Sequence, residues 1–352
     1  MHLSALFGFV GLALAQSALD STEIPSKPST FITSRVPTSI PIGATFTRSM
    51  PTIPTASGQA IRYWFSFGDS YTNTNFSIDG VQPSVGNPLG NPAGAWRKDK
   101  HDATWIPYIT TKYNNTVTLV YNLARSGAAL TYTNENTTSL KSFKGQLNLF
   151  ASKYASLPIE QTPWKQNVET MYSSWFGIND VNGIFGSGGN STDPRIDELT
   201  TLQFSLLDQL YFDFDAKAFL VINLPPLEKA PLFASDTERM EGIVKAWNNN
   251  LARKVRQFKD EHPIASILLI DGYTIMKNLT ENPTYGVKNG IWADKLHVKT
   301  QVHKVLAKEI SKALESIVIV PGNGTIGAPS TSFAIPTPTM GHGSSATSGT
   351  LW

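Results

Sequence analysis

Four short blocks in this chain carry residue types that do chemistry together. "FSFGDSYTNTNF" runs from Phe65 to Phe76, and an apolar, aromatic-rich run stops there at Gly68-Asp69-Ser70. "NLARSGAAL" brings Gly127, and "WFGINDV" brings Gly177, Asn179 and Asp180. Near the end, "WADKLHVKT" sets Asp294 three residues before His297. A serine hydroxyl is a weak nucleophile until a base removes its proton. Histidine suits that task near neutral pH. A carboxylate can hold the imidazole tautomer and stabilise its cation. N–H donors must then meet the oxyanion that forms, each contributing roughly 3–4 kcal/mol. Ser70, His297 and Asp294 fit the first three roles. The N–H groups of Ser70 and Gly127 and the side-chain amide of Asn179 fit the last. The chemistry indicated is acyl transfer through a serine ester. Ser126, beside Gly127, is a rival nucleophile for which no block supplies a base. Asp69 reads as a structural hydrogen-bonding group, and Asp180 as a loop brace in preference to a catalyst.

Such residues must be held by regular elements. Apolar runs predict strands at Arg62–Phe67, Val117–Leu123, Met171–Phe176, Ala218–Asn223 and Ser266–Asp271. Helical spacing predicts helices at Ala103–Lys112, Phe143–Ala155, Arg195–Phe212, Asp236–Glu261 and Val298–Ser316. Strand–helix alternation implies an α/β domain, a mainly parallel sheet covered on both faces. In such sheets ligands gather beyond the C-terminal ends of the strands, where all four blocks fall. "GIFGSGGN", residues 183–190, reads as a flexible loop.

The blocks Gly68-Asp69-Ser70, Gly127, Gly177-Ile178-Asn179-Asp180 and Asp294-Lys295-Leu296-His297 resemble, in order, those of the SGNH or GDSL-type hydrolases. The resemblance covers roughly residues 60–317. It implies a three-layer α/β/α sandwich around a five-stranded, flavodoxin-like sheet. It also implies a Ser70–Asp294–His297 triad, an oxyanion hole of Ser70, Gly127 and Asn179, and no cofactor. "FGDSYTNTNF…QPSVGNPLGNP" is similar to the secreted fungal acetylesterases of carbohydrate esterase family 16. That implies acetylated xylo-oligosaccharides and related sugar acetates as substrates. One departure is Val298, where the family more often has proline after the histidine. A GDSL-type lipase or lysophospholipase is the rival within hydrolases, and a non-catalytic carbohydrate-binding protein the rival outside them. Trp292, two residues before Asp294, is a candidate pocket wall, and Phe76 and Trp96 are candidate platforms for a pyranose face. Trp175 reads as core.

Composition bounds the remaining possibilities. The 352 residues carry a net charge of +2, which gives no electrostatic case for nucleic acid or an acidic membrane. The apolar stretch Leu3–Leu14, followed by Ala15, predicts a signal peptide over residues 1–15 and hence secretion. Sequons at Asn75, Asn114, Asn136, Asn190, Asn278 and Asn323 fit a glycoprotein. Residues 16–59 and 321–352 are rich in Ser, Thr and Pro and read as extended tails around a catalytic domain at 60–320. There is no cysteine, so a core alone must hold the domain, and thiol nucleophiles are excluded. No histidine pair has the i, i+4 spacing of a helical zinc site, so no metal is expected. His101 and His262 read as solvated or capping groups. His303, six residues past His297, is expected on a different helix face. The expected state is a monomer without stable membrane association, acting on an acetylated oligosaccharide.

Overall fold

A computed structural model describes residues 61–91, 103–131, 140–166, 169–281 and 290–315. The predicted signal peptide and both Ser/Thr/Pro-rich tails lie outside these residues, as do Trp96, His101, Asn136 and Asn323.

Five strands form one sheet: β1 (Ile61–Gly68), β2 (Val117–Asn122), β3 (Glu169–Trp175), β4 (Ala218–Ile222) and β5 (Ser266–Ile270). All pairs are parallel, in the order β2-β1-β3-β4-β5. That is the flavodoxin-like order, with its switch point between β1 and β3. Parallel neighbours need long crossovers. Helices between the strands supply them: α1 (Trp105–Thr111), α2 (Phe143–Phe150), α3 (Ile178–Gly186), α4 (Arg195–Phe214) and α5 (Thr237–Glu261); α6 (Gly272–Glu281) and α7 (Thr300–Glu315) follow β5.

Strand β1 shows why both faces are covered. Successive side chains of a strand point to opposite faces. Trp64 packs on Trp105 of α1, whereas Phe65 packs on Phe150 of α2. Residues 63–68 are therefore buried throughout, which is why the run is apolar without alternation. Ser66 alone interrupts the run, and it is satisfied by Ser173 of β3. Trp64 Nε1 donates to Ser173 Oγ at 2.8 Å, and Ser173 Oγ donates to Ser66 Oγ at 2.9 Å.

All five strands and five of the helices fall where the sequence predicts them. Two helices escape that reading. Residues 183–186 are not loop but the last turn of α3, whose Ile178, Val181 and Ile184 recur every three residues and are buried. The apolar spacing outweighs the two glycines. Helix α6 starts directly after Asp271, whose carboxylate accepts from Thr274 N at 3.0 Å and Thr274 Oγ1 at 2.6 Å. An Asp at the N-cap, accepting from the N–H three residues on, is a helix-start signal. The predicted helix over 143–155 changes character after Phe150, continuing as a π-helical turn at Ala151–Ala155.

Candidate active site

The register of the sheet brings the first and third blocks together. Gly68 at the end of β1 lies opposite Trp175 at the end of β3, so Ser70 and Gly177 emerge side by side. Gln146 of α2 secures the exit of β1 from both sides. Its Oε1 accepts from Gly68 N–H at 2.9 Å, and its Nε2 donates to Gly68 O at 2.8 Å. Asp69 is fully buried and folds the chain back on itself. Its Oδ1 accepts from Tyr71 N–H at 2.9 Å, and its backbone carbonyl accepts from Thr72 and Asn73. Ser70 is left half-buried at the lip of the sheet.

The Asp294–His297 block explains its own spacing. Asp294 Oδ1 accepts from the backbone N–H of Leu296 at 2.7 Å and of His297 at 2.6 Å. The turn this creates returns the imidazole to the same carboxylate, with His297 Nδ1 2.8 Å from Asp294 Oδ2. The other ring nitrogen, Nε2, lies 2.9 Å from Ser70 Oγ. Burial raises the Asp294 pKa, but the two backbone N–H groups and the ring of His297 outweigh it and hold the carboxyl at about 2. A carboxyl held there is ionised at neutral pH.

Tyr71 ties the turn after β1 to the loop before α7. Its hydroxyl donates to Leu296 O at 2.6 Å. Ring packing extends the joint: Tyr71 lies 5.9 Å from the His297 ring, 5.7 Å from His303 and 5.3 Å from Trp175. His303 therefore sits behind the site, buried, and not on a remote face. The chain turns between residues 297 and 300 before α7 starts, so helical spacing does not apply across it. Burial, with His297 nearby, pushes the His303 pKa down to about 3, so this ring stays neutral.

The remaining donors are held close by. Arg125 N–H donates to Gly68 O at 3.0 Å, fastening the Gly127 turn to the end of β1. Asn179 Nδ2 donates one proton to Ala128 O at 2.7 Å, which leaves the other with a long 3.5 Å approach to Asp69 Oδ2. Gly177 precedes it at φ +113°, a conformation that only glycine adopts readily, and packs flat against the indole of Trp247. Asp180 is a brace, its Oδ1 accepting from Leu130 N–H at 2.9 Å. Burial pushes the carboxyls of Asp69 and Asp180 up to about 7, each opposed by backbone N–H donors. Ser126 Oγ, the rival nucleophile, accepts from Asn73 Nδ2 at 3.1 Å and has no imidazole partner among the described residues.

Some candidates fall elsewhere. Phe76 is 1% exposed and packs edge-on to Tyr121, so it is core and not a sugar platform. The segment after it runs along the free edge of β2, where Pro88 O accepts from Val120 N–H at 2.8 Å. An edge strand needs such a cover, and an aromatic ring beneath the cover is drawn into the core. Trp292 is half-buried in the loop before His297, its backbone bridged to Val298. His262 caps the end of α5 but is not solvated: its ring is buried, with Nε2 2.7 Å from Asp208 Oδ1. The sequon residues Asn75, Asn190 and Asn278 are exposed. Asn114 instead donates its amide to Thr110 O and Thr116 O, both at 2.8 Å. Gln146 and Tyr71 carry no motif of their own, and only their buried polar contacts reveal their part in the site.

A serine, an imidazole and a carboxylate in one hydrogen-bonded line, at the C-terminal edge of a parallel sheet, define a class. The chain belongs to the GDSL-like lipase/acylhydrolase family, whose model matches residues 65–310, and it is a carboxylic ester hydrolase. It is similar to an acetylesterase of Thermothelomyces thermophilus, 25% identical over 270 residues that cover 72% of this chain and 88% of that one. Among solved structures, it matches a carbohydrate acetylesterase from Sinorhizobium meliloti at 15% identity, covering 72% of this chain and 98% of that one, with a TM-score of 0.42. It matches an acetyl xylan esterase from Geobacillus stearothermophilus at 16% identity, covering 72% and 94%, also with a TM-score of 0.42.

Proposed function

We propose that this protein is a secreted serine esterase that removes acetyl groups from acetylated carbohydrates such as xylo-oligosaccharides. The observation that carries the reading is the unbroken line from Ser70 Oγ to His297 Nε2 at 2.9 Å and from His297 Nδ1 to Asp294 Oδ2 at 2.8 Å. Ser70 Oγ attacks the acetyl carbonyl carbon as its proton passes to His297 Nε2. Asp294 steadies the imidazolium. The oxyanion forms against the N–H groups of Ser70 and Gly127 and the second Asn179 proton. The bond to the sugar oxygen then breaks, and His297 returns the proton to the departing hydroxyl. Water repeats the sequence on the acetyl-serine, releasing acetate and restoring Ser70.

The acetyl preference draws on the similarity to an acetylesterase and on the sequence resemblance to carbohydrate esterase family 16. The polar segment after Ser70 also contains no apolar run of the length an amphipathic lid needs. Secretion draws on the apolar stretch at the N-terminus. The test compares acetate release from acetylated xylo-oligosaccharides with release of octanoate from an ester of the same leaving group. Acetate release should dominate and should vanish in Ser70→Ala. Rates that climb with acyl length would assign the chain to the lipases instead, and a folded, active Ser70→Ala would remove the nucleophile.

A further inference from the structure

We propose that Lys141 is a positioning residue for the oxyanion hole, setting the orientation and strength of the Gly127 N–H. The inference rests on the reading of Gly127 as an oxyanion donor. Residues 125–128 form a tight turn in which Ala128 N–H donates to Arg125 O at 3.0 Å. Gly127, third in the turn, has φ +75°, while Ser126 has no positive φ, which makes the turn type II. Types I and II differ by a flip of the central peptide, here Ser126–Gly127. That flip exchanges the sides on which the Gly127 N–H and the Ser126 carbonyl lie, so one setting arms the hole and the other turns the donor away.

Lys141 holds one setting. Its ammonium donates to Ser126 O at 2.6 Å and stands 3.2 Å from where a Cβ on Gly127 would be. The backbone of Lys141 is itself fixed against this turn. Ala129 N–H donates to Lys141 O at 3.0 Å, and Phe143 N–H donates to Ala129 O at 3.1 Å. The cation therefore sits on the carbonyl end of the very amide whose N–H end would face the oxyanion. Such charge-assisted bonds are about twice as strong as neutral ones. A bond at one end of an amide also strengthens the bond at the other, by about 10–30%. Both effects matter most when the oxygen carries full negative charge, in the transition state and not in the bound ester.

The experiment measures kcat and KM for an acetyl ester with Lys141→Met and Lys141→Arg, alongside the parent and Ser70→Ala. Lys141→Met should lower kcat about tenfold, less than the hundredfold or more that follows loss of a whole donor. KM should change less than twofold. Lys141→Arg keeps the charge and should restore most of kcat. Lys141→Gln, neutral but polar, is a second loss variant should the methionine variant fail to fold, and it should fall in the same direction. Unchanged kcat in a folded Lys141→Met protein would overturn the proposal. A change confined to KM would overturn it too, making Lys141 a substrate contact. If Ser70→Ala kept its activity, the underlying esterase site would be what failed, and the two failures are distinguishable.

Discussion

Replacing Gly177 by alanine tests how the oxyanion side of the site is held. The residue sits at φ +113°, outside the range that a side chain accepts without strain. A Cβ there would stand 2.6 Å from Trp247 Cζ2, 2.7 Å from Cε2 and 2.9 Å from Nε1. Trp247 is itself completely buried, so its ring cannot swing into solvent. The backbone strain costs about 1–3 kcal/mol. Overpacking a tight core costs about 1–3 kcal/mol more. Together they come to about 4 kcal/mol, a fall in Tm of about 8–16 °C for a domain of this size. Relief by backbone movement would displace Asn179, two residues on, and misplacement by about 1 Å can cost a hundredfold in rate. Thermal unfolding and kcat should therefore fall together. In a Trp247→Phe background, which removes the nearest atoms, the steric part of the penalty should shrink while the backbone part persists. A Gly177→Ala protein with Tm within about 2 °C of the parent and full activity would refute the account of the Gly177–Trp247 contact.

Asn179→Ala should lower kcat by about a hundredfold while KM moves little, because an oxyanion donor acts only once the oxyanion exists; a change in KM alone would make Asn179 a substrate-binding residue. Asp180→Asn should change how stability depends on pH. The carboxyl of Asp180 is held at about 7 in the fold against an ordinary 3.8, so the folded state keeps a proton that the unfolded chain has lost across that interval. Its favourable contribution is complete below the unfolded value and is lost as pH rises through about 7. Relative to the parent, the variant's Tm should thus improve steadily between about pH 4 and pH 7, and a difference in Tm independent of pH would show that Asp180 is ionised in the fold.

The sheet was legible because its strands are buried on both faces and so appear as plain apolar runs between helical patterns. Ser70, Asp294 and His297 stood out by residue type, Ser70 at the end of β1 and the other two in the loop before α7, and the fold brings them into one hydrogen-bonded line. What escaped were residues whose importance lies in contact and not in type. Gln146 is an unremarkable glutamine in a helix until its amide is seen closing both hydrogen-bonding groups of Gly68. Tyr71 and His303 meet because the chain turns between His297 and α7, a geometry that no periodicity encodes. Phe76 shows the opposite failure: a polar neighbourhood suggested exposure, whereas the loop around it folds over the edge of β2 and buries the ring.

The hydrogen bond between Ser70 and His297 spans 227 residues of sequence. The strand that leads to the nucleophile is made first, yet its partner β3 follows more than a hundred residues later, as the Trp64–Ser173 separation of 109 shows. During synthesis β1 therefore waits as an apolar strand without its central neighbour, and the imidazole arrives only after every strand has been made. At about 5–20 residues per second that interval is about 10–45 s. Pairings so distant in sequence are slow to close and leave apolar strands exposed meanwhile. The nascent chain thus passes through a long stage in which it can collapse or associate but cannot hydrolyse anything. The Ser70–His297 pair can form only at the end of that stage, once the loop bearing His297 meets Tyr71.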